Sequence, residues 1–168
     1  MICPDVPEPA ATTTRTVRLE RLGVQITIPE NFRAVLKQEG QVVILDPNTF
    51  AQLECQARGG IVYGHGHFSQ QLQVIPRDPA LSFREQALWS VGYSLTETGE
   101  KTTVASAIHS HRWHGLPAYI VESEFGYGIV MMVLWPGEQR VLEISVSCDC
   151  EVNMDDLLNF ANSIEPLR

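Results

Sequence analysis

Four of the five histidines in this chain fall in two His-x-His pairs, His65/His67 and His109/His111, and His114 follows close behind the second. On a strand, residues two apart point the same way, so each pair can present two imidazoles to one ion. Neutral imidazole is a good ligand for zinc and other borderline divalent metals, and it stops ligating once protonated. Neither stretch supplies three or four ligands at a known metal spacing. A solvated strand end explains the same residues, because His109 and His111 alternate away from Val104 and Ile108. A metal site built from His65, His67, His109 and His111 is therefore the alternative to a chain that carries no cofactor.

Cys148 and Cys150 repeat the two-residue spacing, and Cys3 and Cys55 complete the set. Cys148 and Cys150 continue the apolar face of Leu142, Ile144 and Val146, where cysteine acts as a small buried hydrophobe. Four cysteines are too few for a disulfide scaffold. In an exported chain, the expected pairing is Cys55 with Cys148 or Cys150 across neighbouring strands, provided the Cα atoms come within about 7 Å. Cys3, followed by a Pro/Thr tract, resembles the stalk of a processed bacterial lipoprotein and suggests a lipid anchor there, although no lipobox precedes it. Trp113 and His114, at the His-rich strand end, are the candidate partner-contact residues. Trp89 and Trp135 are assigned to the core.

No G-x-S-x-G, G-x-x-x-x-G-K-[ST], H-E-x-x-H or C-x-x-C motif occurs. Gly64-His65-Gly66 begins like a dinucleotide fingerprint but lacks the third glycine and a following helix. An enzyme with an unrecognised site remains a third reading, since a catalytic triad is recognised only by geometry.

The bulk properties narrow the partners. The net charge is -8 with an isoelectric point near 5.0, so a phosphate backbone is repelled and nucleic acid is excluded as the expected partner. The composition, 44% hydrophobic and 19% charged over 168 residues, is that of one folded domain with a core of its own. No run approaches the roughly 20 apolar residues of a transmembrane helix. The longest, Ile129 to Trp135, suits a buried strand.

The elements that must position these residues follow from periodicity. Residues 1–14, with Pro4, Pro7, Pro9 and three threonines, read as a flexible tail, and residues 15–168 as a single domain. Alternation at Val17 and Leu19 restarts out of phase at Val24, Ile26 and Ile28, so Gly23 marks a turn or bulge. Gln41 to Leu45 is a strand, and alternation at Leu53, Cys55 and Ala57 predicts another. Leu72 and Val74 lead a strand to Pro76. Ser82 and Glu85 form a capping box for a helix over Phe83 to Leu95. Strands follow over Thr103 to Trp113, Ala118 to Phe125, Ile129 to Trp135 and Arg140 to Cys150. Asn153 then caps a helix over Met154 to Ile164.

This order carries a resemblance. "G-V-x-x-x-I-P-E-N-F" (Gly23 to Phe32), "I-L-D-P" (Ile44 to Pro47), "H-G-L-P-A-Y-I-V-E" (His114 to Glu122) and "L-L-N-F-A-N-S-I-E-P" (Leu157 to Pro166) together resemble the PsbP/DcrB-like superfamily, which includes Ran-binding nuclear import factors. The likeness spans about residues 17–166. It implies an α+β fold in which an α/β/α sandwich surrounds a central antiparallel sheet. It also implies a non-enzymatic protein that binds another protein or assists assembly. The location implied is the periplasm, the thylakoid lumen or the membrane-anchored envelope, with the cytoplasm as the remaining option. It carries no catalytic residues over.

Overall fold

The computed structural model describes residues 1–63, 68–137 and 139–168. Strand content is 44% and helix content 18%, giving an α+β fold built mostly on antiparallel pairing. The first half runs β1 (Thr14–Leu19), β2 (Val24–Pro29), β3 (Arg33–Leu36), β4 (Val42–Leu45), α1 (Pro47–Ala57), β5 (Ser69–Pro76) and α2 (Phe83–Trp89). The second half runs β6 (Tyr93–Leu95), β7 (Lys101–Thr103), β8 (Ala105–Trp113), β9 (Leu116–Ser123), β10 (Gly128–Leu134), β11 (Arg140–Ser147), α3 (Met154–Asn162) and β12 (Ile164–Pro166).

The central sheet has seven strands in the order β3-β4-β5-β11-β10-β9-β8. Its register aligns Val42, Leu72, Ile144, Met131 and Ile120 in one row across five neighbouring strands. That row is buried beneath α3 and a small β1-β2-β12 sheet, which contribute Leu157, Phe160, Ile26 and Ile164. Each such side chain contributes about 1.5–3 kcal/mol by leaving water. On the opposite face, Phe83 and Ala87 of α2 pack on Val121, Val130, Met132 and Val141.

Gly23 turns the chain between β1 and β2 with φ of 70°, a left-handed conformation that glycine adopts without steric cost. A Cβ there would stand 3.0 Å from the Trp135 ring, so the corner also needs the missing side chain. The out-of-phase alternation predicted a corner at this position. The predicted strand over Leu53, Cys55 and Ala57 is instead α1. Asp46 accepts the Thr49 amide at 3.0 Å and Pro47 occupies the first turn, which are start signals for a helix. The buried positions Thr49, Gln52 and Cys55 then follow a three-residue spacing.

Two predicted helices are shorter than their apolar periods. The capping box at Ser82 and Glu85 is present, but α2 ends at Trp89. Gly92, at φ of 102°, redirects the chain into β6. Trp89 is therefore 38% exposed and not a core residue. The last helix stops at Asn162, and Ile164 enters β12 against Ile26.

Residues 1–13 lie along the surface. The Cys3 amide donates to the Ile61 carbonyl at 2.8 Å, and the Val6 amide to Asn48 Oδ1 at 2.9 Å. Among the described residues, no helix is long and apolar enough to cross a membrane.

Candidate functional site

The middle of the sheet carries a polar row on the α2 face. Gln73 stands opposite Glu143, Gln71 opposite Ser145, and Ser69 opposite Ser147. Strict alternation along β5 and β11 puts Leu72 and Ile144 into the core and these six side chains on the other side. All six are half-buried. Hydrogen bonds tie part of this row: Gln73 Nε2 donates to Glu143 Oε1 at 2.9 Å, Gln71 Nε2 donates to Ser69 Oγ at 2.8 Å, and Gln41, from beside the row, donates through Nε2 to Gln71 Oε1. Glu143, Ser145 and Ser147 floor a cleft of about 300 Å³ that is bounded by Ser90 and Val91 after α2 and by Tyr127 beyond β9. Burial raises the Glu143 carboxyl above the ordinary range, and the Gln73 hydrogen bond offsets part of that. The cleft thus offers hydroxyl and carboxyl groups that can donate and accept hydrogen bonds.

This cleft runs toward one end of the molecule, where apolar side chains are exposed. Phe125 and Tyr127, in the β9–β10 turn, are 61% and 55% exposed, and their rings stack at 6.4 Å. Tyr93 and Leu95 of the β6–β7 hairpin are 53% and 63% exposed. The hairpin base is joined to this turn, because the Glu124 amide donates to Val104 at 2.7 Å and the Val104 amide donates to Gly92 at 3.3 Å. Exposed Glu124 precedes the aromatic turn, and the Val152 amide donates to Gly126 within it at 3.1 Å, bringing exposed Glu151 alongside.

The cysteines pair in another way than expected. Cys3 bonds to Cys55, and Cys148 bonds to Cys150. Because Cys55 lies on α1 and not on a sheet strand, it meets the N-terminal segment, with a Cα separation of 5.8 Å. The Cys3 sulfur is consumed in that bond, so it is not available for a lipid thioether.

The histidines divide. His65 and His67 lie outside the described residues. His109 Nε2 is 2.8 Å from Glu122 Oε2 on the neighbouring strand. His111 lines a separate cleft of about 520 Å³ with Phe83, Ser110, Arg112 and Tyr119. No group of three or more potential metal ligands forms among the described residues. Trp113 is not a contact residue: it is 3% exposed, and its Nε1 donates to the Ala161 carbonyl at 3.1 Å. His114 is exposed and donates through Nε2 to the Ile164 carbonyl at 2.9 Å. Trp113 thereby ties β8 to α3, and His114 ties the following turn to β12.

Two features escaped the sequence reading. The polar row was visible as the Glu143/Ser145/Ser147 alternation, but on one strand that pattern signals solvent. Only its pairing with Ser69, Gln71 and Gln73 makes a trough. Phe125 closes one predicted strand and Tyr127 falls in the gap before the next, a break that shows a turn but not that its aromatic side chains are exposed. No family model matches this chain, and no curated protein matches it.

Proposed function

We propose that this chain is a non-enzymatic protein-binding or assembly protein of PsbP-like fold, and that its partner docks on the end formed by the β9–β10 turn and the β6–β7 hairpin. The observation that carries this reading is the exposure of Tyr93, Leu95, Phe125 and Tyr127 from two segments joined through Val104. Apolar side chains gathered on a polar protein mark contact surfaces, and tyrosine and phenylalanine are enriched in them. Glu124 adjoins the aromatic turn and Lys101 lies over the Tyr93 ring at 4.4 Å, so the rim carries charge of both signs. The polar cleft ending at Tyr127 gives a hydrogen-bonding extension suited to backbone or neutral polar groups.

Helices on both faces of an antiparallel sheet support the PsbP-like comparison, and the Cys3–Cys55 bond supports an oxidising compartment such as the periplasm or thylakoid lumen. Fold likeness alone assigns no activity. The test is to replace Phe125 and Tyr127 together and measure retention of the protein that co-purifies with wild type.

A further inference from the structure

We infer that the Cys148–Cys150 disulfide is a thiol–disulfide exchange site, cycling between disulfide and dithiol while the fold stays intact. This goes beyond partner binding and does not depend on it. Three observations support it. The two sulfurs differ in access: Cys148 is 5% exposed at the end of the core, whereas Cys150 is exposed on the following bend. The ring spans a sequence separation of 2, while Cys3–Cys55 spans 52. Closing so small a loop removes little freedom from the unfolded chain, so breaking it costs the fold little. Finally, the Cys150 amide points at the Cys148 sulfur, 3.1 Å away.

These features order the chemistry. A thiolate from a small thiol or a protein dithiol attacks the exposed Cys150 sulfur. The Cys148–Cys150 bond breaks, and its electron pair leaves on Cys148 as a thiolate. The Cys150 amide, 3.1 Å from that sulfur, is placed to donate to the thiolate as it leaves. A second thiol then attacks the mixed disulfide, releasing the reductant's own disulfide and freeing Cys150. Cys148 and Cys150 take up two electrons and two protons, which the two reductant thiols lose. Oxidation by a protein or small-molecule disulfide is the reverse. Asp149 and Glu151 flank the site, so an anionic thiol approaches against like charge and a neutral one does not.

The test uses the full chain purified without reductant. Graded dithiothreitol is followed by alkylation and peptide mass mapping, with far-ultraviolet circular dichroism recorded alongside. Cys148 and Cys150 should become alkylated at least tenfold lower dithiothreitol than Cys3 and Cys55, with the dichroism unchanged. Simultaneous reduction of both pairs, loss of structure as Cys148–Cys150 opens, or recovery of the purified pair as thiols would each overturn the inference. Single variants test which sulfur is attacked. Cys148→Ser should form a mixed disulfide with neutral dithiodipyridine at least tenfold faster than Cys150→Ser. Equal or reversed rates would overturn the assignment of Cys150.

Discussion

Gln73 donates a hydrogen bond to Glu143 at 2.9 Å across two central strands, placing a carboxyl where an antiparallel sheet usually carries either core or freely solvated residues. Burial holds the Glu143 carboxyl above the ordinary range. The folded protein therefore binds this proton more tightly than the unfolded chain. The associated stability is present below the unfolded carboxyl range and is lost as pH rises through the folded value. Glu143→Gln keeps an acceptor for Gln73 and removes the charge. Its melting temperature should exceed wild type at neutral pH and converge with it in acid. Thermal melts across pH check this, and a variant less stable at neutral pH would show that the carboxylate is favourably placed.

Ile144 is completely buried in the row shared by Leu72 and Met131. Ile144→Ala should cost about 2–5 kcal/mol, since the cavity cannot close within a five-strand row. Denaturant unfolding measures it, and a cost below about 1 kcal/mol would contradict the packing.

Trp113→Phe keeps most of the ring but leaves the Ala161 carbonyl without its indole donor. A loss of about 1–3 kcal/mol is expected. The same unfolding experiment reads it, and an unchanged midpoint would mean the bond contributes nothing.

Cys55→Ser opens the N-terminal bond across 52 residues of chain. The expected loss is about 2–4 kcal/mol, with the first residues becoming sensitive to protease while the remainder stays folded. Gly60→Ala should hinder the same bond, because its Cβ would lie within 2.4 Å of both sulfurs. Limited proteolysis with mass analysis distinguishes these from global unfolding.

The sequence was legible where local chemistry and tertiary packing agree. Gly23, the Ser82/Glu85 box, the Asn153 cap and the β11 alternation all act within a few residues, and each has its expected structural effect. It was misleading where a short apolar pattern fits two periods. Leu53, Cys55 and Ala57 fit a strand, yet the cap at Asp46 and Pro47 decides for a helix. That one reassignment moves Cys55 off the sheet and changes its disulfide partner. The polar trough was illegible for another reason: it is a property of strand pairing, and no single segment shows which strands become neighbours.

Docking of a partner on the exposed aromatic end is read out by quantitative pull-down from native extract. Wild type, Phe125→Ser/Tyr127→Ser and a distant surface control, Arg84→Ser, are compared after circular dichroism shows equal folding. One protein should be recovered in near-stoichiometric amount by wild type and by Arg84→Ser, and at least tenfold less with the double variant. Equal recovery by all three would contradict it.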